Sequence, residues 1–155
     1  MSVHRKAFVK LVQKRGWTRG VELGVDKGIL FRMLLEGVPE LHLTGVDRFP
    51  DKARSRRVFE AAFDHARRAE LLMVSTDVAA SLVSDASQDF VFIDADHSYE
   101  AVKQDIANWR PKVREGGWLG GHDFHPRKFP GVVQAVREAF PAVEFYAGTI
   151  WGVAC

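Results

Sequence analysis

The chain has 155 residues, 46% of them hydrophobic and 27% charged, with a formal net charge of +2. That profile belongs to one globular domain able to bury a core; it excludes a disordered chain, and the charge is too small to argue for a nucleic-acid partner. Cys155 is the only cysteine, no apolar run approaches the roughly 18 residues of a membrane span, and the N-terminus has no apolar signal core, so the expectation is a cytoplasmic protein without disulfides or membrane.

Residues 3 to 15 place Ala7, Phe8, Leu11 and Val12 on one helical face and Lys6, Lys10, Lys14 and Arg15 largely opposite. This predicts an amphipathic helix with a solvated basic side. Gly16 ends it, so a short N-terminal segment (1–16) precedes a core of residues 17–155. A strand is expected from about Arg19 to Gly24 and a helix from about Lys27 to Glu36, closed by Gly37 and Pro39. Between them, Val21-Glu22-Leu23-Gly24-Val25-Asp26-Lys27-Gly28 turns an apolar run into a helical one. Such a turn presents bare N–H groups and a helix N-terminus to an anionic or zwitterionic ligand. A dinucleotide fold wants glycine where Asp26 stands, because a carboxylate there repels the diphosphate; a ligand without phosphate tolerates it.

The second strand, Leu41 to Val46, stops at Asp47, followed by Arg48 and Pro50. At that strand end an acidic side chain can accept from both hydroxyls of a ribose, or it can cap the next helix. That helix, about Asp51 to Arg68, is expected to bury Phe59, Ala62, Phe63 and Ala66 and expose Arg54, Arg56, Arg57 and Arg67. A strand from Glu70 to Val74 then turns through Ser75-Thr76-Asp77-Val78 into a short helix ending at Leu82. Asp77 either accepts from an adenine amine, with the Val78 backbone nearby, or caps that helix.

The run Asp89 to Asp94 is almost unbroken in apolar character, as a central parallel strand should be. Val102, Ile106, Trp109 and Val113 then share a helical face, and Gly116-Gly117 is the expected end of that helix. Trp118 and Leu119 form a fifth strand, cut by Gly120-Gly121; a His-, Pro- and Arg-bearing loop, His122 to Pro130, leads to a helix with Val132, Val133, Val136 and Phe140 inward. Two β-rich runs hinged near Gly148 close the chain as a hairpin with one antiparallel strand. The alternation predicts an α/β, Rossmann-like doubly wound sheet, mostly parallel with an antiparallel terminal strand.

In an open α/β sheet the carboxyl ends of the strands line the ligand crevice. The fourth strand delivers Asp94-Ala95-Asp96-His97 and the fifth His122-Asp123, with His125 behind, so carboxylates and imidazoles should converge where Gly24 and Asp47 already point. Carboxylates suit Mg²⁺, imidazole tilts the set toward Mn²⁺, Fe²⁺ or Zn²⁺, and a neutral histidine beside a metal can take a proton from a substrate hydroxyl. The plainer reading is that Asp96 and Ser98 cap the following helix and His122 is a polar strand end.

The acidic-x-Gly-x-x-x-Gly turn resembles the nucleoside-binding loop of class I S-adenosylmethionine (SAM) dependent methyltransferases. Phe92-Ile93-Asp94-Ala95-Asp96-His97-Ser98-Tyr99-Glu100, followed by Gly116-Gly117 and His122-Asp123, resembles methyltransferase family 24. That group is related to the metal-dependent O-methyltransferases of macrolide sugars and to cephalosporin-hydroxylase-like proteins. The likeness runs from about Gly20 to Phe140. It implies SAM as cofactor, held by Glu22, Gly24, Gly28, Asp47, Arg48, Asp77, Val78 and Asp94. It also implies Asp94 as a metal ligand with His97 as catalytic base. Where the relatives have two adjacent carboxylates this chain has His122 and Asp123, so the expected ligand set is Asp94, His122 and Asp123 for Mg²⁺ or another divalent cation.

The implied activity is methyl transfer to a small-molecule or sugar hydroxyl. The helix at residues 3 to 15 is all that precedes the first strand, so the acceptor pocket is expected to be shallow, or completed by the loop His122 to Pro130 or by a second subunit in a homodimer. Arg127 and Lys128 on that loop could attract an acidic acceptor or be merely exposed. The rival readings are a nucleotide-dependent oxidoreductase, against which Asp26 argues; a non-catalytic SAM- or RNA-binding module, which the basic helices leave open; and a hydroxylase-like metal centre of His97, His122 and Asp123.

Overall fold

In the computed structural model, which describes residues 3–155, strands and helices alternate along most of the chain. The elements are α1 (Val3–Arg15), β1 (Arg19–Leu23), α2 (Ile29–Gly37), β2 (His42–Val46), α3 (Arg56–Asp64), β3 (Ala69–Leu72) and α4 (Thr76–Leu82). They continue as β4 (Gln88–Ile93), α5 (Tyr99–Trp109), β5 (Val113–Gly121), α6 (Pro130–Ala139), β6 (Glu144–Phe145) and β7 (Trp151–Ala154). One sheet holds all seven strands in the order β3-β2-β1-β4-β5-β7-β6. β1 to β5 run parallel, β7 enters antiparallel to β5, and β6 lies antiparallel to β7. The chain winds outward from β1 to β3 and returns to β4 on β1's other side. The two halves of the sheet therefore part between β1 and β4, the switch point at which such sheets hold ligands.

Alternation along the strands sorts side chains to two faces. On one face Leu43, Phe90, Phe92 and Trp118 pack under α1, α2 and α3 through Phe8, Val12, Phe31, Leu34 and Val58. On the other, Val21, Leu23, Val91, Ile93 and Leu119 pack under α4, α5 and α6 through Ala79, Val102, Ile106, Trp109 and Val136. The result is a three-layer α/β/α domain, as the alternation predicts. No helix among the described residues is long and apolar enough to cross a membrane.

Three local expectations are corrected. The second expected helix is shorter, Arg56–Asp64, and its buried residues are Val58 and Ala61. Phe59 and Ala62 are only partly buried and Ala66 is exposed, while Phe63 is 83% exposed. The buried stripe lies one position earlier than expected because the Gly28 turn brings α2 down on Val58. Next, α5 ends at Trp109, where Arg110–Lys112 tightens into a 3₁₀ turn containing Pro111, so Val113 opens β5 instead of closing the helix. Finally, Gly120 and Gly121 lie inside β5. A Cβ on Gly120 would meet the Trp118 ring and the Trp151 carbonyl at 2.3 Å, and one on Gly121 the Ile93 carbonyl at 2.3 Å, so glycine here permits close strand packing and breaks nothing.

Candidate functional site

The turn from β1 to α2 is built from left-handed residues: Gly24 at φ 83°, Asp26 at φ 49° and Gly28 at φ 69°. Gly24 has a steric reason beyond its dihedral, since a Cβ there would stand 2.2 Å from the Asp94 carbonyl oxygen. The backbone can thus lie against the end of β4. Asp26, strained for a non-glycine residue, is held by two hydrogen bonds from Arg54, one of them 2.9 Å from Nη2 to Oδ2. Its N–H donates to Asp47 Oδ2 at 2.9 Å. Asp47 Oδ1 accepts from Phe49 N at 2.8 Å. Each Asp47 oxygen is thereby oriented while keeping a further lone pair for a ligand hydroxyl. Gly28 is the N-cap of α2, where a Cβ would meet Val58 at 2.6 Å, and it borders neither cavity at the site.

Two cavities meet over Gly24 and Asp94. The larger, about 670 Å³, is bordered by Asp47, Arg48, Thr76, Asp77 and Asp105. The smaller, about 290 Å³, is bordered by Arg5, Glu22, Lys27 and Leu30. Both include Gly24, Asp26, Asp94, Ala95 and His97. Asp77 sits in the first turn of α4, where the Ser75 hydroxyl and the N–H groups of Asp77 and Val78 outweigh burial and hold its carboxyl below its ordinary value. It both supports that helix and borders the cavity, and Val78 beside it is half exposed. Glu22 is 2% exposed with Oε2 unpartnered, and burial, then Asp94, push its carboxyl well above the ordinary range, with Arg5 drawing it back. A buried carboxyl without a donor beside a glycine cradle fits a ligand that brings a cation and a nucleoside.

At the β4 and β5 ends, Asp94, His97 and Asp123 each offer one ligand atom, and these lie within 4.8 Å of one another. His97 Nε2 is 2.8 Å from Asp123 Oδ2 and 3.5 Å from Asp94 Oδ1. Despite those short distances neither contact has hydrogen-bond geometry, and the buried Nε2 is left without a partner. Asp94, against the opposing effect of burial, and then Asp123 hold the imidazole above its ordinary range. Asp123 is itself in the left-handed region at φ 60°, strain of the kind stored at functional positions. The two carboxylates fit a divalent cation, and the imidazole nitrogen beside them fits either a third ligand or a base, since its one lone pair can serve only one of these roles.

The histidine expected in that set was His122. It stands 3.9 Å from Asp94, with Nδ1 at 3.0 Å from Asp123 Oδ1 and Nε2 at 3.2 Å from Thr149 Oγ1. His97 Nε2 therefore lies a few tenths of an ångström nearer both carboxylates than His122 Nδ1 does, so both imidazoles border the pair. The capping reading also holds in part: Asp96 Oδ1 accepts from Ser98 N at 2.8 Å, and Ser98 Oγ caps α5. His125 faces its own loop, accepting from the N–H groups of Arg127 and Lys128.

Four side chains at the site escaped the sequence. Phe129, from the loop before α6, lays its ring 4.6 Å from that of His97. Thr149 and Arg5 arrive from opposite ends of the chain, and no motif marks either. Asp105 did leave a trace: it falls on the same helical stripe as Val102, Ile106 and Trp109 and is buried with them. Burial pushes its carboxyl up to about 6, with Thr76 opposing.

A family model described as a methyltransferase domain matches residues 21–124. No curated protein matches the chain. Among solved structures, a candidate caffeoyl-CoA O-methyltransferase from Staphylococcus aureus superposes with a TM-score of 0.77 at 12% identity, covering 98% of this chain and 82% of that one. An O-methyltransferase from Bacillus cereus, in complex with SAH, gives 0.73 at 20% identity, covering 100% and 82%. A TDP-rhamnose 3′-O-methyltransferase of calicheamicin biosynthesis gives 0.71 at 17%, covering 99% and 80%. At these identities the likeness is one of fold.

Proposed function

The chain belongs to the SAM-dependent methyltransferases of family 24, and from that premise we propose that it methylates a hydroxyl oxygen of a small molecule or sugar with the help of a divalent cation. The observation that carries this reading is the convergence of Asp94, His97 and Asp123 beside the Gly24 cradle. Asp47 would accept from the ribose hydroxyls and Asp77 from the adenine amine, across the larger cavity. The amino-acid end of SAM would lie over Gly24 beside Glu22.

Asp94 and Asp123 would hold the cation, which when bound polarises the acceptor oxygen and raises its acidity. His97 then takes the acceptor proton on Nε2, and Asp123 and Asp94 stabilise the imidazolium so formed. The acceptor oxygen forms its bond to the methyl carbon as the carbon–sulfur bond breaks, leaving S-adenosylhomocysteine (SAH). The protein's remaining share is alignment of oxygen, carbon and sulfur, with Phe129 packed against the ring of the histidine.

Calorimetric titration with SAH, in Mg²⁺ buffer and again with EDTA, tests the cofactor and the cation together. Binding at micromolar concentrations is expected; no binding in either buffer overturns the reading. His97→Ala is expected to keep SAH affinity and lose roughly 10²- to 10⁴-fold in methyl transfer, followed with radiolabelled SAM against a panel of hydroxylated compounds. Full turnover in that variant removes His97 from the mechanism.

A further inference from the structure

The family match begins at residue 21, so it assigns nothing to α1. Yet α1 reaches the site. Its buried face, Phe8, Val9 and Val12, fixes it on the sheet, and His4 Nδ1 lies 2.8 Å from the Ala147 carbonyl at its first turn. The next residue, Arg5, borders the smaller cavity together with Glu22. Arg5 is half-buried, and its guanidinium has no hydrogen bond or ion pair among the described residues. Glu22, almost wholly buried, has Oε2 unpartnered. The two border one cavity without an ion pair between them, a guanidinium and a buried carboxyl each lacking a hydrogen-bond partner among the described residues.

A guanidinium in partial burial wants a planar anion that can accept two parallel hydrogen bonds. A ligand bearing negative charge alone would meet Asp26 and Asp94 in the same cavity and leave the buried Glu22 Oε2 without a donor. A ligand with a carboxylate and an ammonium on one carbon satisfies both groups at once. We infer that Arg5 binds the α-carboxylate of the cofactor's amino-acid end while Glu22 takes its α-ammonium. This rests on SAM being the cofactor. It makes α1 a part of the cofactor site, and Arg5 the residue that distinguishes a complete SAM or SAH from its nucleoside portion. Lys27, also at this cavity but exposed, contributes only a screened charge.

The test compares SAH with 5′-methylthioadenosine, which keeps the nucleoside and sulfur and lacks the amino acid. Binding of both is measured by calorimetry to the wild-type chain, Arg5→Ala, Arg5→Lys and Lys27→Ala. Arg5→Ala is expected to weaken SAH roughly ten- to a hundredfold and leave methylthioadenosine within about twofold, with Arg5→Lys intermediate and Lys27→Ala close to wild type. Unchanged methylthioadenosine affinity also shows that the variant is folded. Undiminished SAH binding by Arg5→Ala, or an equal loss of both ligands, overturns the inference. A wild type that binds both ligands equally also overturns it while leaving SAM as cofactor; one that binds neither overturns the cofactor reading itself.

Discussion

Asp105→Asn should stabilise this protein, and by an amount that depends on pH. The carboxyl is buried on the floor of the larger cavity, packed into the stripe of α5 that faces the sheet. Burial raises it from the ordinary 3.8 to about 6, Thr76 opposing and the nearby Asp96 and Asp77 charges adding to the rise. Between about pH 4 and 6 the folded chain keeps the proton that the unfolded chain has lost, so unfolding releases protons and stability falls as pH rises through that window. A shift of this size corresponds to about 3 kcal/mol above pH 7, at 1.36 kcal/mol for each pKa unit. Asparagine is nearly isosteric with the protonated acid and never ionises. Urea melts of both proteins from pH 4 to 8 should therefore coincide near pH 4 and separate progressively, reaching that difference by pH 7. Comparing the two proteins removes the other titrating groups, and the gap should persist in high salt because desolvation causes it. Parallel curves across the range would refute the reasoning, since the carboxyl would then titrate alike in the folded and unfolded chain.

Gly24→Ala places a Cβ 2.2 Å from the Asp94 carbonyl at φ 83°; a loss of about 2 kcal/mol or more is expected, with SAH affinity down at least tenfold by calorimetry. Asp89 accepts from Thr18 N at 2.7 Å, Arg19 N at 2.9 Å and Arg114 Nε at 2.6 Å. Burial pushes its carboxyl up, but these donors outweigh it and hold the group below its ordinary value. Its contribution is therefore present above about pH 4 and lost as pH falls further, and Asp89→Asn should cost about 2 kcal/mol at pH 7 in a urea melt and much less near pH 2. Val58→Ala, at a fully buried site, should cost about 2 kcal/mol, whereas Phe63→Ala, at an 83% exposed one, should stay within about 0.5 kcal/mol; the reverse order in thermal melts would contradict the packing of α3.

Much of the architecture is legible in the sequence because it depends on period and punctuation. The unbroken run at β4, the turn at Gly24 and the helical spacing of Val102, Ile106 and Trp109 each report a local environment directly. Boundaries fare worse where glycine has two meanings. Gly120 and Gly121 read as breakers, yet they sit inside β5 because neighbouring strands press against them. Phe63 read as core by its neighbours' spacing, but which stripe of α3 is buried depends on where α2 lands.

The site divides along the same line. Its carboxylates and glycines lie at strand ends, and strand ends of a doubly wound sheet share one edge, so Gly24, Asp47, Asp94 and Asp123 could be gathered from the chain alone. How the two histidines share the carboxylates could not, because His97 and His122 each follow a strand and only side-chain placement leaves His97 Nε2 2.8 Å from Asp123 while His122 divides its ring between Asp123 and Thr149. Arg5, Phe129 and Thr149 were equally out of reach: each belongs to a segment whose own pattern describes only how it packs, and their convergence is set by contacts between residues far apart in the chain. The sequence determined the sheet, its edge and the cofactor class; tertiary packing decided the polar partners, since periodicity records burial face by face and carries no record of long-range pairing.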